Sequence, residues 1–173
     1  MKKSFIAIAM VCVSFFAFAQ KTGNKVQFNS VDMNGKTVTS EIFSKNKLTM
    51  INVWGTFCPP CIREMPDLAK LSRENKSKGI EIIGIPIDIV EQNWAVIDSS
   101  KKDGNEIIKT TGADYVHVVP SKDMMNGFLK NVQVVPYTIF VDKDGNQVGN
   151  PYFGSRSKKD WQKIMDDLLA SQN

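Results

Sequence analysis

Hydrophobic positions along this chain follow two periods, and their alternation lays out the fold. The run from Leu48 to Trp54, closed by Gly55, predicts a strand, and the nearly all-apolar stretch 80–87 predicts a second one buried on both faces. Pro86 cannot donate to a ladder, so it is expected at that strand's end. Between them the period lengthens to a helix over 59–78, stopped by Gly79. Upstream, 26–28 and 36–39 flank Met33-Asn34-Gly35, an N-terminal β-hairpin signal. Downstream, 91–102 reads as a helix with Trp94 and Ile97 inward, interrupted by Asp103-Gly104-Asn105. A short strand over 115–119, a helical turn or two over 124–129, and a hairpin of 137–141 with 147–148 follow. The last helix opens with a capping box, Ser157 and Asp160, and carries Trp161, Ile164, Met165 and Leu168 on one face. Strand, helix, strand, helix, then hairpin and helix make an α/β class protein: a central mixed sheet flanked by helices.

Residues 1–19 stand apart from this pattern. Lys2 and Lys3 precede a largely apolar stretch, and Ala17-Phe18-Ala19 has the small–x–small form of a signal-peptidase site. The stretch is short for a stable span, which needs about 20 residues. An uncleaved anchor is the alternative. Acylation at Cys12 is disfavoured by Val11, where a small residue is wanted. Cleavage would leave 20–173 as a single domain, long enough for a real core. The formal charge would fall from +4 to +2 as Lys2 and Lys3 leave, which argues against nucleic acid or a strongly anionic surface as partner. Nothing after residue 19 is long and apolar enough to cross a bilayer, so no stable membrane insertion is expected after cleavage. Two cysteines would remain, Cys58 and Cys61, in an exported, periplasmic or otherwise extracytoplasmic protein where disulfides persist.

Those two cysteines, in Trp54-Gly55-Thr56-Phe57-Cys58-Pro59-Pro60-Cys61, sit where a strand gives way to a helix. A disulfide across so small a ring stabilises a fold by at most roughly 2 kcal/mol on the chain-entropy model. The pair therefore reads as a reversible dithiol/disulfide centre rather than a staple. Cys58 falls at the N-cap with Pro59 at the first helical position. Pro60 has no N–H, so Cys61 must be the main donor to the Cys58 sulfur, and the helix dipole adds a field favourable to a thiolate. Cys58 is the expected exposed nucleophile and Cys61 the buried resolving thiol. Glu64, one turn further, either handles the proton of Cys61 or is a solvated helix residue beside Arg63; spacing alone leaves both open. Pro66 should kink the helix. Val135-Pro136 precedes a strand, and an X–Pro bond is trans by default.

Taken together, Trp54 to Cys61, Glu64 and Pro66, Val135-Pro136-Tyr137-Thr138 and the turn Asp142-Lys143-Asp144-Gly145 resemble the thioredoxin superfamily. They look most like its TlpA/ResA-like extracytoplasmic thiol–disulfide oxidoreductases, and the resemblance runs over about 26–170. It implies a thioredoxin fold with an N-terminal β-hairpin extension and protein thiol–disulfide exchange with no bound cofactor. Cys58 and Cys61 match the redox-active pair, Pro136 the family's cis-proline, and Glu64 the acid that tunes the thiols. Substrate contact is implied for Trp54, Pro59, Val135, Pro136 and Gly154, with the Val135 backbone pairing to an extended partner. The implied partners are oxidised extracytoplasmic protein substrates and a membrane-bound electron donor. Thioredoxins proper carry a buried aspartate where this chain has Asn52, and an amide cannot accept a proton at neutral pH. That throws proton transfer onto Glu64 or water.

Two other classes compete. A zinc or haem module would need more ligands than two cysteines and His117 supply, and Ile62 stands where covalent haem wants histidine; His117 reads as a strand residue. A peroxiredoxin would place threonine three residues before its cysteine, where Gly55 stands. Peroxide consumption compared with disulfide reduction separates that reading from the oxidoreductase.

Overall fold

The computed structural model describes residues 21–172, so the leader expected over 1–19 lies outside the described residues. Its main sheet has six strands in the order β1 (Lys21–Lys25), β8 (Asn146–Phe153), β7 (Tyr137–Asp142), β4 (Leu48–Trp54), β5 (Ile80–Pro86) and β6 (Val116–His117). β4, β5 and β6 run parallel, while β7 is antiparallel to both β4 and β8, and β1 to β8. The mixed sheet expected from the element order is therefore present. Pro86 sits opposite Trp54 at the last position of the ladder. An antiparallel hairpin of β2 (Asn29–Val31) and β3 (Thr37–Thr39) forms the N-terminal extension. Its strands start later than the apolar residues suggested: Val26 and Phe28 are buried anchors ahead of β2, not ladder members.

Side chains alternate across the central strands, and this splits the core in two. Leu48, Met50 and Trp54 face α1 (Pro59–Asn75) and α4 (Lys158–Ala170), with Phe140, Trp161 and Met165 in the same cluster. Ile51 and Val53 face the other way, onto Phe43, Met124 and Leu129, where α3 (Lys122–Asn126) and the N-terminal segment cover the sheet. Asn52 shares the α1 side by the same alternation. The expected helical face of α4 is real: Trp161 and Met165 are fully buried, and the Ser157 side chain accepts from the Asp160 N–H. Helix α1 ends at Asn75, with a 3-10 turn and left-handed Gly79 completing the expected stop.

Residues 91–111 differ from expectation. Instead of a helix over 91–102 broken at 103–105, a tight turn comes first and α2 (Asp98–Thr111) runs through the expected break. Trp94 adopts φ +72, Ala95 donates to the Asn93 side chain, and Val90 bridges Val96, so the local side-chain turn wins over helical periodicity. Gly104 is tolerated inside α2 because it is a close-approach site: a Cβ there would lie 3.2 Å from the Met33 methyl. The backbone of α2 can thus pack near Met33 and Trp54.

His117 closes the sheet behind the site. Its Nδ1 accepts from the Trp54 indole N–H at 3.2 Å, so Nε2 carries the proton and faces the Ala113 carbonyl at 3.0 Å. Gly84 makes room, since a Cβ there would collide with the imidazole. Burial lowers the His117 pKa from 6.5 to about 4, because a second proton would be a desolvated charge. The unfolded chain binds that proton near pH 6.5 and the folded one resists it, so His117 withdraws stability as pH falls from about 6.5 to about 4. The full loss is about 3 kcal/mol. Urea unfolding across this range should show a steeper fall for the wild type than for His117→Gln; equal slopes would refute the assignment.

Candidate active site

Helix α1 begins directly behind the end of β4, and that junction makes the reactive centre. Cys58 is the N-cap, extended at φ −105 and ψ 92, with both prolines in the first turn. Its backbone N–H donates to the Gly55 carbonyl at 3.0 Å and its sulfur accepts from the Cys61 N–H at 3.3 Å. Cys58 and Cys61 are joined as a disulfide. Cys61 is completely buried, whereas Cys58 is 4% exposed, less open than an N-cap nucleophile was expected to be. Its neighbour Phe57 projects into solvent at 66% exposure and lines the same groove as Cys58.

Cys58 lines a groove of about 380 Å³ whose other walls include Phe57, Pro60, Ile87, Val132, Val134 and Val135. Gln133 is the polar member of the lining, and no charged side chain takes part. The Cys58 sulfur lies 3.6 Å from the Val135 carbonyl. The Val135–Pro136 peptide is cis, as the family resemblance implied. Pro136 itself is buried, and its carbonyl accepts from the Gly154 N–H at 2.9 Å. Gly154, at φ +78, therefore ties the next loop to the proline without lining the groove. Pro59 is exposed beside the groove, and Pro60 is the proline that lines it. Trp54, expected to touch substrate, has a fully buried side chain whose indole N–H donates to His117. A larger depression of about 620 Å³ lies along α4, walled by charged residues such as Glu74, Lys158 and Asp167, with no cysteine among them.

Glu64 is not a solvated helix residue. It is 4% exposed, and its carboxylate receives three donors from three other segments. Oε1 accepts from Asn52 Nδ2 at 3.1 Å; Oε2 accepts from the Arg156 backbone N–H at 3.1 Å and from the Trp161 indole at 3.2 Å. Burial raises its pKa above the usual carboxylate value, with the Trp161, Arg156 and Asn52 bonds working in the opposite direction. Asn52 fits the expected hydrogen-bonded amide of the sheet: Nδ2 also donates to Thr138 Oγ1 at 3.1 Å.

Residue-by-residue reading missed several supports. The Asp88 carboxylate accepts from the Thr56 N–H at 3.0 and 3.1 Å and from its hydroxyl, fixing the turn just ahead of Cys58 to the end of β5. Arg156 stacks over Tyr152 and Trp161 at 5.0 Å from each ring and donates to the Phe153 and Gly154 carbonyls. Asp88 and Thr56 lie 32 positions apart, while the Arg156 contacts are local but belong to no motif.

Known proteins resemble this arrangement over most of its length. The Redoxin family profile matches residues 21–150. The thiol–disulfide oxidoreductase ResA of Bacillus thuringiensis is 33% identical over 131 residues, 70% of this chain and 63% of that protein. The chain thus spans under two thirds of that relative's length. The thiol:disulfide interchange protein DsbE of Haemophilus influenzae is 30% identical over 140 residues, covering 79% of this chain and 69% of the relative. Among solved structures, a thioredoxin family thiol:disulfide interchange protein from Chlorobium tepidum superposes with a TM-score of 0.71 at 27% identity, covering 88% of this chain and 99% of that one. The chain has a thioredoxin-like fold and belongs to the Redoxin family.

Proposed function

We propose that this protein is an extracytoplasmic thiol–disulfide oxidoreductase that reduces disulfides in protein substrates through Cys58 and Cys61. The observation that carries the reading is the position of Cys58, at an N-cap and in the lining of an apolar groove, with its sulfur 3.6 Å from the carbonyl before Pro136. An extended, uncharged segment of a partner fits that groove, with the Val135 backbone available to pair with it. The names of the ResA and DsbE relatives point the same way.

The reaction follows from the two sulfurs. Cys58 thiolate attacks one sulfur of a substrate disulfide, forming a mixed disulfide and expelling one substrate thiolate, which takes up a proton. Cys61, deprotonated, then attacks the Cys58 sulfur; the second substrate thiolate leaves and the Cys58–Cys61 disulfide is restored. Two electrons pass to the substrate, and a membrane-bound electron donor must return them. Glu64, its pKa raised by burial, is poised to take the Cys61 proton and give it back. Neither Pro59 nor Pro60 offers an N–H, so the Cys58 thiolate is stabilised by the Cys61 amide and the helix dipole alone. A weakly stabilised thiolate makes the disulfide harder to reduce, hence a centre nearer the roughly −270 mV of thioredoxin than the roughly −120 mV of a strong oxidant. Export by the leader places the domain where disulfide-bearing partners occur.

Equilibration with glutathione redox buffers tests the direction: a potential close to that of the strong oxidant overturns the reductase reading. Cys58→Ser should abolish disulfide exchange, while Cys61→Ser should accumulate a partner-linked mixed disulfide visible on non-reducing gels. Exchange surviving in Cys58→Ser would dismiss the assigned nucleophile. Asp88→Ala frees the Thr56 turn and should cost about 1–2 kcal/mol in stability. It should also slow exchange severalfold without removing it. An unchanged rate would mean that the turn needs no such anchor.

A further inference from the structure

The Asn52 amide is wired asymmetrically. Both bonds it makes, to Glu64 Oε1 and to Thr138 Oγ1, come from Nδ2, which has two hydrogens and uses both. Its Oδ1 is buried and has no hydrogen-bond partner, although the residue is only 1% exposed. A buried orphan oxygen costs on the order of 1–3 kcal/mol, and this one sits on a side chain whose two ends are nearly the same shape.

The two oxygens of Glu64 are equally unlike. Oε2 faces the Arg156 backbone N–H and the Trp161 indole N–H, and neither nitrogen can ever accept a hydrogen bond. A proton on Oε2 would point at a donor. A proton on Oε1 would also meet a donor while Nδ2 is in place, but that donor can be exchanged for an acceptor by half a turn of the Asn52 amide. Thr138 Oγ1 tolerates the exchange, because a hydroxyl that accepts from Nδ2 can rotate and donate to Oδ1 instead.

We propose that Asn52 is a positioning residue for the Glu64 proton: its amide reverses when Glu64 is protonated, so that the proton resides on Oε1 and is accepted by Asn52 Oδ1. In the ionised state Nδ2 serves Oε1 and Thr138, and the orphan is Oδ1. In the protonated state Oδ1 accepts from Oε1 and from Thr138, and the orphan is Nδ2. One unpartnered end is left in each state, which accounts for the buried oxygen as half of a two-state device. Aspartate at position 52 would lack the donor that the ionised form needs, and leucine would lack both functions. The charged and titratable groups that act on Glu64 are the Arg156 guanidinium from the loop before α4 and the Tyr115 phenol ahead of β6. Tyr115 is held neutral by burial, so Glu64 is the acid of this cluster that changes charge. The consequence for turnover rests on the proton-handling role proposed above for Glu64; the amide reversal itself does not.

Two measurements decide it on the full chain in its disulfide form. In a side-chain NMR titration, the Asn52 amide resonances should move with the same midpoint as the Glu64 carboxyl carbon, and the nuclear Overhauser contacts from the Asn52 amide protons to Thr138 should be lost on the acid side. Asn52 signals that hold their shifts and contacts through the Glu64 transition would overturn the proposal. The second measurement does not depend on reaching that transition. Glu64→Gln mimics the protonated acid: the new amide oxygen must take the Arg156 and Trp161 donors, so the new amide nitrogen faces Asn52. A crystal structure of Glu64→Gln should show that introduced nitrogen hydrogen-bonded to Asn52 Oδ1, and the Asn52–Thr138 contacts should be pH-independent. Asn52 Nδ2 still directed at residue 64, with the Trp161 indole displaced, would sink the idea. Disulfide exchange assayed on the same samples separates the two readings. An active wild type with a fixed amide rejects only the reversal, and a moving amide in a protein inert towards disulfides rejects only the oxidoreductase.

Discussion

A carboxylate inside the protein holds the reactive helix in place. Glu64 accepts one hydrogen bond from strand β4, one from the backbone of the loop before α4 and one from α4 itself. Burying a charge is costly unless its oxygens are satisfied, and removing any partner leaves an unpaired group at a cost of several kcal/mol. Helix α1 therefore cannot slide or rotate against the sheet without breaking bonds to three other segments. Glu64 lies in the second turn of that helix. Local capping sets where the helix starts, and the Glu64 anchor holds that start in place against the sheet.

The same loop that serves Glu64 also serves the groove. Arg156 gives its N–H to the carboxylate, and Gly154, two residues earlier, gives its N–H to the carbonyl of Pro136. The guanidinium of Arg156 closes the loop on itself through the Phe153 and Gly154 carbonyls, and its stacking on Tyr152 and Trp161 binds it to the sheet and α4. On the opposite wall, Asp88 holds Thr56 and so the turn that carries Phe57. Cys58 is thereby presented between two braced walls, one polar behind the surface and one apolar at the surface. For the disulfide exchange proposed above, such bracing would leave little reorganisation to the receiving chain.

How much of this could be read from residues depended on distance along the chain. The start of α1 was legible because capping and proline preference act over three or four positions, and the cap bond from Cys61 to Cys58 is of that range. The burial of Glu64 was not, since its partners lie 12, 92 and 97 positions away. The cis bond at Pro136 came from the family resemblance and not from local chemistry. Residues 91–111 misled because Gly104 and its neighbours look like a helix break, and only the tertiary contact with Met33 makes a glycine welcome there. Trp54, in the motif itself, suggested substrate contact; its indole N–H needed a buried acceptor, and His117 supplies one 63 positions on.

An amide at position 52 also bears on why one acid is enough. Two carboxylates at this contact distance could not both ionise, and one would be held protonated far above the ordinary range. The pair would then titrate as a unit, and its proton would have no fixed address. With Asn52, the buried negative charge on the second turn of α1 is a single carboxylate whose oxygens have different neighbours. Thr138 extends that asymmetry into β7, two residues beyond Pro136, so the strand that follows the cis bond and the helix that carries the sulfurs share one hydrogen-bonded contact. A change of charge at Glu64 is felt at both, through bonds that need only reverse their direction and not their length.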